Sequence, residues 1–454
     1  MYMDMYRVFM FYLRRASSAR NCLARPADRR RLCFSSPPMG SLIPATDSRV
    51  LILGRYCTSG SIVRFDWPAT TIELRLRRSR RVWLRMNGNK NYFSISCNGC
   101  TPQILTALSR KVIDYSLPLG QSKSEDDILY IRIAKRTEAA ALYGIFGSAS
   151  GVVSLEGIIL EDDGELLEPF MPRSRLLEFY GDSDTCGFGN EGKRTSSKSF
   201  LALLRSASCA HEQDASRAFP ALVGAALDAN THNLAWSGIG ACWNAPMCGR
   251  EAMDAKWDRL IATDAAAGSI LSGQPTSSPV SSSVSSSNAH HQQPPPQLPD
   301  AVVIYLGGND FYTMGQNPPV GLLSSLQRTE AKFIEGFASL LRAIRAARPS
   351  PIPILLLECD AASGSCLESA AAQAHFSKVM GRLLRAVVEC VADPYMFVVP
   401  LCGQPPISHA DDTDFGVIGH WSLQGHAKVA TALAKEIGQM LGWKVDLHRC
   451  AIVR

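Results

Sequence analysis

No apolar run in this 454-residue chain approaches the roughly 20 residues a helix needs to cross a bilayer, which excludes an integral membrane helix. Strong charge is also lacking. The formal net charge is +6, much of it from Arg14, Arg15, Arg20, Arg25 and Arg29 to Arg31, so the remainder carries no basic footprint for nucleic acid. Metal-ligand spacing is missing as well: Cys97-Asn98-Gly99-Cys100 is the single Cys-x-x-Cys among 14 cysteines, with no second pair or histidines at zinc spacing. It reads as a reverse turn, and no metal or cofactor is expected. The cysteines are spread too widely to form the framework of a small disulfide scaffold. Acids are scarce at the start, where only Asp4 and Asp28 stand among the Arg- and Ser-rich first 38 residues. That composition suits an organellar transit peptide better than a secretory signal, because the apolar patch Val8 to Leu13 precedes most of the arginines. The alternative is an upstream extension with translation starting at Met39. Met39-Gly40 lacks the Ser or Thr of a myristoylation site, since Pro44 occupies that position.

What is present is core-forming material, with 46% hydrophobic and 19% charged residues, enough for about two or three domains. Residues 1–48 read as a disordered or targeting extension. From Arg49 to Pro172 short runs alternate at period two, among them Thr71 to Leu76, Val82 to Met86 and Leu129 to Ile133. Many short strands at near-regular spacing predict a β-sandwich of jelly-roll type, a fold that also serves as a sugar-binding module. Residues 173–454 change to β-α alternation. Candidate strands Leu176 to Tyr180, Asn233 to Ser237, Ala301 to Leu306, Ile352 to Leu357 and Met396 to Pro400 are nearly continuous apolar runs. Between them lie the amphipathic stretches Ala215 to Leu227, Arg328 to Ala347, Ala370 to Val391 and Gln424 to Leu441. Together they predict a doubly wound α/β layer around a parallel sheet. Gly268 to Pro299, with its serine runs, three consecutive prolines and His290-His291, reads as a low-complexity insertion.

The apolar run Leu177-Glu178-Phe179-Tyr180 ends abruptly in Gly181-Asp182-Ser183, presenting a serine hydroxyl at the carboxyl end of a strand. In an open α/β sheet that is where ligands and chemistry collect. Three further elements follow in order: Trp236-Ser237-Gly238 after a strand, Gly307-Gly308-Asn309-Asp310 after another, and His420 ahead of the last helix. Acyl transfer needs these types: an activated hydroxyl, a base, and donors aimed at a developing oxyanion.

This ordered set resembles that of SGNH (GDSL-type) hydrolases. From about Arg49 onward the chain resembles, more narrowly, the acetyl esterases of carbohydrate esterase family 2, in which a jelly-roll β-sandwich precedes an SGNH domain. The residues that carry the likeness are Leu177 to Gly192, Ala235 to Gly240, Val302 to Phe311, His420 to Lys428 and, in the N-terminal half, Lys135-Arg136-Thr137-Glu138-Ala139. The resemblance implies that Ser183 is the nucleophile and His420 the general base. It also implies an oxyanion hole made by the Ser183 and Gly238 backbone N–H groups and the Asn309 side chain. His426 is the rival base, since Gly425-His426 also fits the family pattern, but it falls inside the helix start, where packing is the simpler role. His409 and His448 have no motif around them and read as surface residues.

The chief departure is an absent acid. SGNH hydrolases usually place Asp three residues before the histidine, and the related esterases often two; here those positions are Val417 and Ile418. The resemblance allows a backbone carbonyl to orient the histidine instead, giving a Ser-His dyad. Asp411, Asp412 and Asp414 are the carboxylates near enough in sequence to substitute, or else solvated loop charges. Trp421, where the family commonly has Pro, and Trp243 are candidates to stack on a sugar ring, or are partly buried core aromatics. The reading is a serine esterase acting on acetylated carbohydrate. Its alternatives are an SGNH acylhydrolase of lipid or other small esters, and a catalytically weak glycan-binding protein.

Overall fold

Period-two patterning resolves into strands whose alternate residues are buried. In Thr71–Arg77, Ile72, Leu74 and Leu76 are sealed from solvent while Glu73, Arg75 and Arg77 are half-buried. The structure, a computed structural model, describes residues 40–79, 81–117, 119, 128–140, 149–161, 163–194, 209–245, 248–249, 251–271, 297–314, 328–358, 370–401, 407 and 411–450. The transit-peptide reading and most of the low-complexity insertion, including its His pair, lie outside the described residues.

The N-terminal strands are β1 (Leu42–Pro44), β2 (Leu51–Leu53), β3 (Cys57–Ser59), β4 (Ile62–Phe65), β5 (Thr71–Arg77) and β6 (Val82–Asn87). They continue as β7 (Asn91–Cys97), β8 (Gln103–Ala107), β9 (Ile113–Ser116), β10 (Leu129–Lys135), β11 (Val153–Leu160) and β12 (Glu165–Leu167). Among the described residues they form two antiparallel sheets, ordered β3-β4-β11-β6-β9 with β1 on β11, and β12-β5-β10-β7-β8 with β2 on β5. The sheets share one core, where Phe65, Leu84 and Ile158 of the first meet Leu74, Phe93 and Ile131 of the second. Cys97 to Cys100 is a reverse turn between β7 and β8, with Asn98 and Gly99 at φ 49° and 72°, and the described cysteines are free thiols.

The start of this layer needs correction. Strand β1 pairs with β11 inside the stretch 1–48 that the sequence assigned to an extension. Three residues are too few to show a period, and the pairing depends on Gly157 of β11, where a Cβ would collide with the Ile43 carbonyl.

The second layer contains β13 (Leu176–Gly181), β14 (Asn230–Ala235), the hairpin β15 (Arg259–Ile261) and β16 (Asp264–Ser269), then β17 (Ala301–Tyr305), β18 (Ile354–Glu358) and β19 (Met396–Pro400). Its helices are α1 (Ser183–Cys186), α2 (Phe219–Ala226), α3 (Gly308–Met314), α4 (Glu330–Ala347), α5 (Ala370–Val391) and α6 (Leu423–Leu441). The sheet is parallel in the order β14-β13-β17-β18-β19. Alternate residues of each strand serve opposite faces. Val302 and Ile304 pack with Phe333 and Phe337 of α4 and Leu383 of α5, while Val303 and Leu355 pack with Phe219 of α2 and Leu433 of α6. Helices on both faces make this a doubly wound layer. The chain leaves β13 for β14 on one side and returns to β17 on the other, so the switch point lies at the carboxyl end of β13.

The hairpin β15-β16 was read partly as insertion, yet Gly268 and Ser269 belong to its second strand. Ala265-Ala266-Ala267-Gly268 carries little strand propensity, and the order comes from docking. Asp66 of the sandwich accepts N–H groups of Ala262 and Thr263 at 2.8 and 2.9 Å, and the Trp67 indole donates to the Arg259 carbonyl at 3.2 Å.

Candidate active site

Strand β13 is buried throughout and ends at Gly181, where a Cβ would collide with Thr185 Oγ1, so only glycine lets α1 fold back on the strand. Asp182 caps α1 by accepting the Asp184 N–H at 3.2 Å, and Gly187, at φ 76°, closes it. Ser183, the first residue of α1, retains 9% of its surface.

His420 is delivered by a turn unlike any ordinary helix entry. Ile418 and Gly419 are both left-handed, at φ 53° and 72°, which curls the chain so that the Val417 carbonyl faces the residue three ahead. That carbonyl oxygen lies 3.1 Å from the His420 backbone nitrogen and 3.1 Å from its Nδ1. A carbonyl only accepts, so Nδ1 carries the proton and Nε2 presents a lone pair. Nε2 lies 2.9 Å from Ser183 Oγ. Phe188 covers the imidazole, with ring centroids 4.7 Å apart. Gly189 packs so tightly on Val417 that a Cβ there would sit 2.6 Å from the valine's own, locking the histidine turn to the loop after the serine.

The acidic candidates lie elsewhere. Asp414 is buried against Lys428 at 2.7 Å, and Asp411 caps its own turn through Thr413. The side chain of Asp412 and all of His409 fall outside the described residues, and His448 is exposed. Position 417 thus supplies through its main chain the acceptor expected of a side chain.

His426 is buried beneath the site. Its Nδ1 accepts the Phe219 N–H at 3.2 Å and its ring stacks on Phe219 at 6.2 Å, the packing role expected of it. Burial, aided by nearby His420, pushes its pKa down to about 3 from the usual 6.5. Between those values the unfolded chain binds a proton that the fold refuses, so stability is full above about pH 6.5 and falls as pH drops through the window. At about 1.4 kcal/mol per unit, going from about pH 6.5 to about pH 5 is expected to cost about 2 kcal/mol in urea unfolding. A His426→Gln variant, having no titrating ring, is expected to lose about that much less over the same interval.

The other predicted groups sit at the ends of neighbouring strands. Gly238, three residues beyond β14, has φ 76°, and a Cβ there would strike Cys248 Sγ. Asn309 stands in the first turn of α3, with Nδ2 donating to the Ile239 carbonyl at 2.8 Å and to Asp182 Oδ2 at 3.2 Å. Burial and the adjacent Asp184 carboxylate push Asp182 well above the usual range, which favours its protonated form. Sequence reasoning missed Asp310. Its carboxylate accepts the N–H groups of Ala241, Cys242 and Trp243, each at 2.8 Å, and pins the loop after Gly238. Burial raises its pKa to about 6. The signal was its adjacency to Asn309, but nothing local names its partners.

The two tryptophans part company. Trp421 is fully buried, stacked on Tyr305 at 5.2 Å and packed against Phe219, so the expectation that it stacks on a sugar is corrected. Its backbone N–H donates to Asp184 Oδ1 at 3.4 Å, and the chain then enters α6 two residues on, leaving the indole in the core. Trp243 is half-buried, leaning on Phe333 with the Arg328 guanidinium 6.0 Å from its ring. Among the described residues no group of three or more His, Cys, Asp or Glu side chains is placed to hold a metal ion, and no helix is long and apolar enough to cross a membrane.

A serine and a histidine in hydrogen-bond contact at the switch point of a doubly wound sheet, behind a two-sheet β layer, define the class: the SGNH hydrolase architecture with an N-terminal β domain. Solved structures place it further. The chain superposes on a family two carbohydrate esterase from Clostridium thermocellum in complex with cellohexaose with a TM-score of 0.63 and 20% identity, covering 87% of this chain and 99% of that one. It superposes on the acetyl xylan esterase Est2A from the rumen bacterium Butyrivibrio proteoclasticus with a TM-score of 0.60 and 18% identity, covering 88% and 96%. The fold is therefore that of the family 2 carbohydrate esterases, as the sequence motifs implied. Among curated proteins the chain is 23% identical over 379 residues to the cellulase/esterase CelE of Acetivibrio thermocellus, covering 83% of this chain and 38% of that protein's length. No protein-family model matches.

Proposed function

We propose that this chain is a serine esterase that removes O-acetyl groups from carbohydrate through an acetyl-serine intermediate. The observation that carries the reading is the contact of Ser183 Oγ with His420 Nε2 at 2.9 Å, on a ring whose Nδ1 faces the Val417 carbonyl at 3.1 Å. His420 takes the serine proton as Ser183 attacks the ester carbonyl, then returns it to the departing sugar hydroxyl. Water deacylates the enzyme by the same route in reverse roles. The Val417 carbonyl holds the tautomer and leaves a Ser-His dyad. The oxyanion meets the N–H groups of Ser183 and Gly238 and the Asn309 amide, whose longer contact, to Asp182, is the one the substrate oxygen replaces.

A small acyl group fits a serine that keeps 9% of its surface beside a histidine capped by Phe188. Carbohydrate as the other half follows from the fold's likeness to carbohydrate esterases, with Trp243 as a ring platform at the rim. The N-terminal layer is assigned as a jelly-roll domain ending near Pro172, and residues 173–454 as the catalytic domain.

Rates on 4-nitrophenyl esters and on O-acetylated xylan test the reading. We expect kcat/KM to be highest for acetate and to fall at least about tenfold by octanoate, with acetate released from the polysaccharide. A rise from acetate to octanoate makes the protein a lipid-ester hydrolase instead. Glycan binding without turnover of any ester makes it a binding protein.

A further inference from the structure

We propose that Glu138, contributed by the N-terminal β domain, is a positioning residue for the oxyanion hole; this rests on the esterase reading above. Glu138 follows β10 and is buried. Its Oε2 accepts the backbone N–H of Ser237, the residue before Gly238, at 2.6 Å. The same oxygen lies 3.7 Å from Sγ of Cys186, the last residue of the nucleophile helix, and that sulfur is 3.5 Å from Ser237 Oγ. One carboxylate oxygen therefore ties the loop carrying one oxyanion donor to the helix carrying the nucleophile and the other.

The carboxylate is itself held. Oε1 accepts from Gln213 Nε2 at 2.8 Å, while the Glu138 N–H donates to Gln213 Oε1 at 3.2 Å. Beneath it the buried Lys135 Nζ donates to the carbonyls of Thr137 and Glu138 at 2.5 and 3.0 Å, fixing the turn from which Glu138 projects. A group that only accepts suits this place, because Ser237 and Gln213 both present donors. Arg136, next in the chain, reaches Asp214 at 2.8 Å and Glu191. Asp214 exchanges two hydrogen bonds of 2.9 Å with Asn190, whose carbonyl accepts the Leu423 N–H beyond His420. The segment 135–138 is thus wired to the nucleophile helix, the Gly238 loop and the chain beyond His420 without touching the reacting atoms.

Misplacing one oxyanion donor slows the chemical step more than it weakens substrate binding. Glu138→Leu, of similar bulk but without an acceptor, is expected to lower kcat for 4-nitrophenyl acetate about 10- to 100-fold with KM changed less than about threefold. Rates are expressed per site titrated with a fluorophosphonate, so unfolded molecules do not count, and Glu138→Ala replaces Glu138→Leu if the latter yields no folded sites. Glu138→Gln, which keeps one oxygen for Ser237, is expected to stay within about fivefold of wild type. Gln213→Leu removes the other partner and is expected to stay within about threefold. In hydrogen exchange, the peptide spanning residues 236–239 is expected to lose protection in Glu138→Leu and keep it in Gln213→Leu. Wild-type kcat in Glu138→Leu, or an equal loss in Gln213→Leu, overturns the positioning role. If the wild type hydrolyses no ester, the esterase reading falls, and the exchange measurement still decides whether Glu138 holds the loop.

Discussion

Ser183→Ala is expected to lower kcat for 4-nitrophenyl acetate by at least about 10⁴-fold while leaving the thermal midpoint within about 2 °C of wild type. The size follows from covalent catalysis: without Oγ there is no acetyl-serine, and His420 has no proton to move. What survives is water attack helped by the oxyanion donors, which in serine hydrolases is worth only about 10³ to 10⁴ over solution. The small structural cost follows from the site itself. The lost partner is a hydrogen bond of 2.9 Å at a half-buried imidazole that water can still reach, and Asp182, which caps α1, is untouched. Residual activity above about 10% in the purified variant places the nucleophile elsewhere.

The largest effect on stability is expected at Glu178, on the buried face of β13. Its carboxylate meets Arg55 of the N-terminal domain at 2.7 Å and Arg348, beyond α4, at 2.9 Å, and all three side chains are nearly sealed from solvent. Arg55 also donates to the carbonyls of Trp257 and Arg259 and to Tyr180, so the network joins sandwich, sheet and hairpin. Glu178→Leu leaves two buried guanidinium groups without their anion, a loss of about 3–5 kcal/mol, and the thermal midpoint is expected to fall by about 6–15 °C. Adding Arg55→Met, which removes one stranded charge, is expected to recover part of it; a variant as stable as wild type means the network is solvated. Burial alone would raise the Glu178 pKa, but Arg55, His232 and Arg348 hold it well below the usual carboxylate range. Because that folded value is depressed, the contribution is full above the unfolded pKa of about 4.3 and is lost as pH falls toward the folded value. The acid limb of the wild-type stability curve is expected to flatten in the variant.

Legibility in the sequence tracked how local each cause is. Period two in Thr71–Arg77 and the apolar run of β13 announced their elements because each residue's burial repeats along the strand itself. Strand β1 and the hairpin β15-β16 were missed because their order comes from partners distant in sequence: Gly157 for one, Asp66 and Trp67 for the other. Trp421 stayed open between a sugar platform and a core aromatic for the same reason, since no neighbour in sequence reveals Tyr305 and Phe219 closing on it.

By itself the sequence determined the strand-rich first layer and the parallel sheet of the second, and it singled out Ser183, Gly238, Asn309 and His420 as candidates, since strand patterning and residue type are properties of the chain. Only the tertiary structure decided what faces the histidine. A side chain is written in the sequence, but a main-chain carbonyl is common to every residue and becomes an orienting acceptor only when Ile418 and Gly419 turn left-handed and aim it at Nδ1. It decided equally that Glu138, remote in sequence from the nucleophile, borders the site, because that meeting exists only once the two layers pack together.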